Sequence, residues 1–317
     1  MRLKGKRKCD ALGESMKLTF LGTGSAWSLP EIGCDCFICQ QMHKNKETRL
    51  RTSLYLECGE RILIDCGPDI VRQWWDNGLK SVDAVLITHE HGDHYLGLDE
   101  LVALRRSSSP KDWRPIATYA TTAAWETIEL RFGYLLEKTL AKKLAIPEEP
   151  LPGLQTKVVP FKTYHGPMAK GSVGYVIEDG GKRLMYTSDL LHTEGEEARV
   201  GRPSVLVIQS HWLNEPEFNR PSLLSLQRAL PMIKAWKPKE KVFLVHISDA
   251  DQVVGDPAND YLKKIPPAAP LKDPRTGIPY PVPTCQAEWQ EIAEKIFNDN
   301  VIHVPVQVAY DGLVVEI

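Results

Sequence analysis

The segment Thr88-His89-Glu90-His91-Gly92-Asp93-His94 places three imidazoles and two carboxylates within six residues. Such a donor set suits Zn, Mn or Fe. Its spacing says more, because His89 and His91 can bend toward one ion while Asp93 and His94 face a second, which a single four-ligand site does not need. The preceding apolar run Ala84-Val85-Leu86-Ile87 reads as a buried strand, so the cluster lies where a strand gives way to a loop. Three further donors occupy the same kind of place: His165 after Lys157-Val158-Val159-Pro160-Phe161, Asp189 after Arg183-Leu184-Met185-Tyr186, and His246 after Lys241-Val242-Phe243-Leu244-Val245. One His or Asp after a strand is a cap or turn former as readily as a ligand. Four strand ends with compatible donors point instead to one site at the edge of an α/β sheet.

A second cluster, Cys34-Asp35-Cys36-Phe37-Ile38-Cys39, holds three of the seven cysteines and is followed by His43. These thiols are too close in sequence to bridge comfortably but converge well on a tetrahedral ion, so a structural zinc is expected. The stretch Met1 to Ser15 is basic, through Arg2, Lys4, Lys6, Arg7 and Lys8, and lacks the apolar core of a secretion signal. It reads as a solvated tail, with Met16 as an alternative start, and implies a reducing, cytoplasmic setting.

Together with Leu18-Thr19-Phe20-Leu21-Gly22-Thr23-Gly24-Ser25 and Leu63-Ile64-Asp65-Cys66-Gly67, these elements resemble the metallo-β-lactamase superfamily. The resemblance implies an α/β fold, a four-layer αβ/βα sandwich, with a dinuclear metal site at one edge. His89, His91 and His165 would hold one cation, Asp93, His94 and His246 the other, and Asp189 would bridge them. Aspartate at the bridging position fits the phosphoester and thioester hydrolases, where lactamases of the Cys type carry sulfur. Two cations sharing one oxygen would lower its pKa toward ~7 and supply hydroxide for attack on a phosphodiester. Asp65 would support the site by accepting hydrogen bonds from ligand imidazoles or loop amides.

The Cys-rich loop is similar to that of the phosphodiesterase family of the phosphonate (carbon-phosphorus lyase) pathway, which implies a structural zinc. Its fourth ligand falls on Asp249, in His246-Ile247-Ser248-Asp249, with His43 competing for the role. The family's additional catalytic His falls near Arg220, in Phe218-Asn219-Arg220-Pro221. Arginine can hold a phosphate oxygen with two hydrogen bonds but cannot deliver a proton at neutral pH. Asp93, His211 and Arg220 are therefore the catalytic candidates, and His192 is a further possible proton donor. The function implied is a metal-dependent phosphodiesterase for a small or cyclic phosphodiester. A biosynthetic accessory protein of the quinone-cofactor type, whose Cys-rich loop is similar, and a thioester hydrolase are the alternatives.

The rest of the chain must position these groups. With 317 residues, 43% apolar and 25% charged, it can bury a large core, and its formal charge of -2 exerts no general pull on nucleic acid or anionic membrane. No apolar run reaches the length of a membrane span. We expect a tail at residues 1–15 and a single domain over 16–317, with a zinc loop at 33–43 and a Pro-rich insertion at about 250–285. A small-molecule phosphoester is the expected partner, and a homodimer stays open. Arg51 to Glu57 and Arg61 to Asp65 read as a hairpin about Gly59, and Asp69 to Gly78 reads as a helix. Thr121 to Ala145 reads as one helix, whose Trp125, Ile128, Phe132, Leu135, Leu136 and Leu140 suit core or dimer packing or a lid. The irregular stretch from Val253 to Pro283 is expected to shape substrate access or meet a partner, and strands are expected over Val304 to Val308 and Leu313 to Ile317.

Overall fold

The computed structural model describes residues 15–194, 201–219 and 222–317. Its first sheet is built from β1 (Lys17–Gly22), β2 (Ser53–Cys58), β3 (Glu60–Ile64), β4 (Ala84–Leu86), β5 (Ile116–Ala120) and β6 (Leu140–Leu144). The second holds β7 (Lys157–Tyr164), β8 (Val173–Asp179), β9 (Lys182–Tyr186), β10 (His192–Thr193), β11 (Val205–Gln209), β12 (Lys241–Val245) and β13 (Val306–Val308). The last strand, β14 (Leu313–Glu316), crosses back to the first sheet. The strand orders are β14-β1-β2-β3-β4-β5-β6 and β10-β7-β8-β9-β11-β12-β13. In each sheet antiparallel pairing gives way to parallel pairing, from β3 onward in the first and from β9 through β11 to β13 in the second. The parallel strands therefore end together at one edge of each sheet, where open α/β sheets present their reactive groups.

Strand alternation explains the layers. Leu54, Leu56, Ile62 and Ile64 of the first sheet meet Tyr175, Ile177, Val205, Val207 and Phe243 of the second in one buried core. The intervening residues face outward and are covered by helices. Leu63, Val85 and Ile87 pack under α2 (Ile70–Asp76) and α5 (Thr122–Phe132), while Leu206, Ile208, Val242 and Leu244 pack under α6 (Leu226–Trp236) and α7 (Gln286–Asp299). Both faces of each sheet are thus buried, which is why the central strands read as continuous apolar runs. The result is a four-layer αβ/βα sandwich of the metallo-β-lactamase type. Short helices α1 (Phe37–Asn45), α3 (Gly92–Tyr95) and α4 (Val102–Arg106) lie at the edges.

The hairpin turns at Gly59 as expected, and α2 ends two residues before Gly78. The long helix expected over Thr121 to Ala145 is instead α5, one tight turn at Gly133–Leu135 and the edge strand β6. Glu137 takes a left-handed backbone (φ 63°), which ends helical propagation, and Leu140–Leu144 pair with β5. Leu140 is buried in either geometry, so apolar spacing alone could not separate them. Trp125, Ile128 and Phe132 are consumed by the core, so this apolar stripe serves core packing. The Pro-rich stretch from Val253 to Pro283 carries one short turn of 3-10 helix, Pro257–Asp260, as its regular element. Among the described residues no helix is long and apolar enough to cross a membrane.

Candidate metal centre

Each donor sits at a strand end whose local backbone aims it into the sheet edge. Asp65 follows β3, Ser188 and Asp189 follow β9, and His246 follows β12. Asp65, Ser188 and His246 have φ of 61°, 56° and 59°. Left-handed backbone is uncommon for residues with a Cβ and concentrates where surrounding structure enforces it, as at functional sites. The chain must also pass close to itself here: a Cβ on Gly67 would lie 2.1 Å from the Asp93 carbonyl oxygen, so glycine is required after the Asp65 turn.

The structure brings His89, His91 and His165 into one group and Asp93, His94, Asp189 and His246 into a second, with ligand atoms in each within 4.8 Å of one another. The groups adjoin. Asp189 Oδ2 lies 2.9 Å from His246 Nε2, 3.6 Å from His94 Nε2 and 3.6 Å from His165 Nε2, so one carboxylate oxygen reaches donors of both. Asp93 Oδ2 lies 3.0 Å from His94 Nε2, and His91 Nδ1 lies 3.2 Å from His165 Nε2.

The far sides of the rings explain their orientation. His94 Nδ1 donates to Asp65 Oδ2 at 2.7 Å, His165 Nδ1 to the Ser222 carbonyl at 3.2 Å, and His89 Nδ1 to Thr88 Oγ1 at 3.0 Å. The Nε2 atoms of His89, His94 and His246 are buried and make no hydrogen bond. Buried polar nitrogens without an aligned hydrogen bond are rare in native proteins, and those of His94 and His246 lie within 3.0 Å of the Asp93 and Asp189 carboxylates. The residues therefore fit divalent cations.

Electrostatics agree with that fit. Burial, then the neighbouring charges of His94 and His165, lowers the His89 pKa well below the usual imidazole range, leaving a neutral ring. Burial would also neutralise His94, but Asp93, Asp65 and Asp189 outweigh it and hold the imidazolium well above the usual range. Burial opposes ionisation of Asp189, yet His246 and His94 keep its carboxyl well below the ordinary value. A cation here would displace the His94 proton and meet carboxylates that are already charged.

Thr88 and Gln209 emerge as supports that sequence reasoning missed. Thr88 donates to Asp65 through its N–H at 2.8 Å and its hydroxyl at 2.9 Å. Gln209 Oε1 takes the N–H groups of Leu190 and Leu224, both at 3.0 Å, and its Nε2 lies 3.0 Å from His246 Nδ1. A polar residue closing an apolar strand was the available signal. Glu90, inside the His-rich segment, accepts from Gly171 N at 3.1 Å and ties the loop after His165 to the cluster. Replacing Asp65 with Ala strands Thr88 and the His94 ring in a dry site. We expect about 2–4 kcal/mol lower stability and metal retention weakened at least ~10-fold, read by thermal melting and metal analysis. Wild-type values for both would remove Asp65 from this role.

The Cys-rich loop forms a separate group. Asp249 Oδ2 lies 3.8, 3.4 and 3.2 Å from the sulfurs of Cys34, Cys36 and Cys39. His43 is exposed on α1 and stands outside this group. Cys36 caps α1, its sulfur accepting from Cys39 N at 3.5 Å. Of the catalytic candidates, Asp93 lies in the centre, and His211 packs beside it with its ring 5.7 Å from that of His246. His192 is exposed on β10 and stacks on Tyr164. Arg220 lies outside the described residues.

A family model described as the beta-lactamase superfamily domain matches residues 60–247, more than half of the chain. The chain belongs to the metallo-β-lactamase superfamily. This metallo-β-lactamase-fold chain is 31% identical over 245 residues to an octanoyltransferase of Porphyromonas gingivalis, a match covering 74% of this chain and 46% of that protein. It is 34% identical over 125 residues to zinc phosphodiesterase ELAC protein 1 of Bos taurus, covering 37% of this chain and 30% of that one. The matched regions thus span less than half of either curated relative. Among solved structures, a diphosphatase from the PhnP family superposes with a TM-score of 0.67 at 22% identity, covering 96% of this chain and 97% of that one.

Proposed function

We propose that this metallo-β-lactamase-fold chain is a metal-dependent hydrolase of a small or cyclic phosphodiester. The observation that carries this reading is the reach of Asp189 Oδ2 to imidazoles of both donor groups, in a site built from His and carboxylate with no thiol. His89, His91 and His165 would hold one cation and Asp93, His94 and His246 the other, with Asp189 shared. Zinc or manganese suits these donors, and iron is compatible with them. When bound, such cations supply Lewis acidity toward phosphoryl oxygens and activate water at neutral pH. Cys34, Cys36, Cys39 and Asp249 would hold a structural zinc. In this reading residues 16–317 act as one domain on a small-molecule substrate in the cytoplasm. The zinc phosphodiesterase relative supports the reaction class.

The protein's own groups bind and orient. Arg220 would take two phosphate oxygens through its planar fork. The main chain of His211 is fixed, its backbone N–H donating to Leu224 O at 2.8 Å and its carbonyl accepting the Ser248 hydroxyl at 2.8 Å, while its ring Nδ1 is buried without a partner. Burial and then the His246 charge lower its pKa to about 3. At neutral pH it can therefore offer substrate a neutral N–H but does not act as an imidazolium acid. The same shift has a stability consequence. The unfolded His211 binds a proton near its ordinary value and the folded one does not, so its contribution is complete above pH ~6.5 and is lost as pH falls toward 3. Replacing it with Gln should flatten the acid side of a melting-versus-pH curve by up to one proton, about 1.4 kcal/mol per pH unit. An unchanged slope would contradict the neutral assignment.

The function is tested by assaying zinc- or manganese-loaded protein against bis(p-nitrophenyl) phosphate and cyclic nucleotides. Turnover that is lost on chelation and restored by metal is expected, whereas inertness toward every diester would overturn the reading. Thioester hydrolysis is the second reading. The octanoyltransferase relative motivates it, and the same donor set would serve it with Asp189 shared between the cations. Acyl-thioester substrates in the same assay separate the two.

A further inference from the structure

The Cys-rich group has neighbours that its ligand chemistry alone does not explain. Lys263, on the Pro-rich segment, contacts Asp249 Oδ2, the oxygen that faces the three sulfurs. Its ammonium also donates to Glu31 Oε2 at 2.7 Å and to Cys34 Sγ at 3.1 Å, so its three N–H bonds meet three acceptors. Lys264 is buried, 6% exposed, and donates to the carbonyls of Asp249 at 2.5 Å and Asp251 at 2.9 Å. The same segment wraps the loop at two more points. Asp256 Oδ2 accepts from Phe37 N at 2.9 Å, at the start of α1, and the Tyr261 hydroxyl donates to Asp35 Oδ1.

Charge arithmetic gives these contacts a purpose. A divalent cation held by three thiolates and one carboxylate carries a net charge of two minus. With a neutral imidazole as fourth donor it would carry one minus. Burying the extra charge is unfavourable unless a cation lies against it. Two lysines from one segment lie there, and the Glu31 carboxylate paired with Lys263 adds one more negative charge for them to offset.

We propose that Lys263, backed by Lys264, is the charge complement of the metal-loaded Cys34–Cys36–Cys39–Asp249 group, and that it lets an aspartate serve as the fourth donor. The inference rests on the reading that this group holds a metal. It gives the Pro-rich segment a defined role. The chain just beyond His246 supplies the carboxylate, and the segment that follows supplies the charge that balances it and locks the loop when the metal is bound. Asp249 is three residues from His246 and the intervening Ser248 is bonded to His211, so the lock also braces the strand end that carries a candidate active-site donor.

Cobalt tests this directly, because thiolate-to-cobalt charge-transfer absorption reports the Cys group and not the His-rich centre. Cobalt is titrated into metal-stripped wild-type protein, Lys263→Met, Lys263→Arg, and the double variant Asp249→His/Lys263→Met. We expect about 10- to 100-fold weaker cobalt binding in Lys263→Met, as for other groups that support a metal ligand from behind. Binding should be near wild type in Lys263→Arg and recovered to within a few-fold in the double variant, where the neutral donor removes the need for the cation. Equal or tighter binding in Lys263→Met would mean that the ammonium merely stands where a metal would, and would overturn the proposal. So would a double variant as weak as Lys263→Met. If Lys263→Met fails to fold, the affinity of Asp249→His/Lys263→Met against that of Asp249→His alone decides it: equality supports charge compensation, and a tenfold gap rejects it. Absence of the absorption band in wild-type protein would instead sink the metal reading itself.

Discussion

Asp189→Ala is expected to reduce phosphodiester turnover by about a thousandfold or more, the equivalent of ~4 kcal/mol of transition-state stabilisation. Its carboxylate oxygen is within 3.6 Å of imidazoles from both donor groups and 2.9 Å from His246 Nε2. Removing it takes away the side chain shared between the two donor groups and leaves positive or cation-facing nitrogens in a buried site. The fold should survive, because Asp189 lies past the end of β9 and not within the inter-sheet core. The check is paired: kcat on bis(p-nitrophenyl) phosphate, and cations per chain. Turnover within tenfold of wild type, with full metal content, would show that Asp189 does not hold the centre together.

Cys36→Ser should act on stability. Cys36 is fully buried, its sulfur faces Asp249 at 3.4 Å, and the same sulfur caps α1 through Cys39 N. Hydroxyl is a poor substitute for thiolate toward zinc, and binding free energy at a structural site is folding free energy. A loss of about 3 kcal/mol or more is expected, together with one fewer zinc per chain, while kcat per occupied active centre stays within about threefold. Calorimetric melting and metal analysis give the answer. An unaltered melting temperature and zinc content would leave the loop with no metal role.

The sequence made the site more legible than some of its scaffold. The donors His89, His91, Asp93, His94, His165, Asp189 and His246 could be picked out because a strand end is visible as an apolar run that stops, and a ligand-capable residue just beyond it stands out. The runs themselves marked individual buried strands, whereas the two-sheet architecture was legible only through the family resemblance that the motifs carry. Where spacing was ambiguous the reading failed. Leu135, Leu136 and Leu140 satisfy a helical stripe, yet the left-handed Glu137 breaks the helix and the next segment becomes β6, because pairing with β5 outweighs local periodicity. Supports such as Thr88, Gln209 and Lys263 were hidden for a different reason. Their partners lie 23, 37 and 14 residues away, at Asp65, His246 and Asp249, and no local pattern encodes such contacts.

The central claim is that His89, His91 and His165 grip one cation and Asp93, His94 and His246 a second, with Asp189 between them. Anomalous diffraction from crystals grown with zinc, recorded on both sides of its absorption edge, tests it most directly. The account predicts two peaks about 3.5–4 Å apart at the ends of β4, β7, β9 and β12, and a third beside Cys36. Full occupancy of the cysteine peak with no anomalous signal among the seven donors would contradict it.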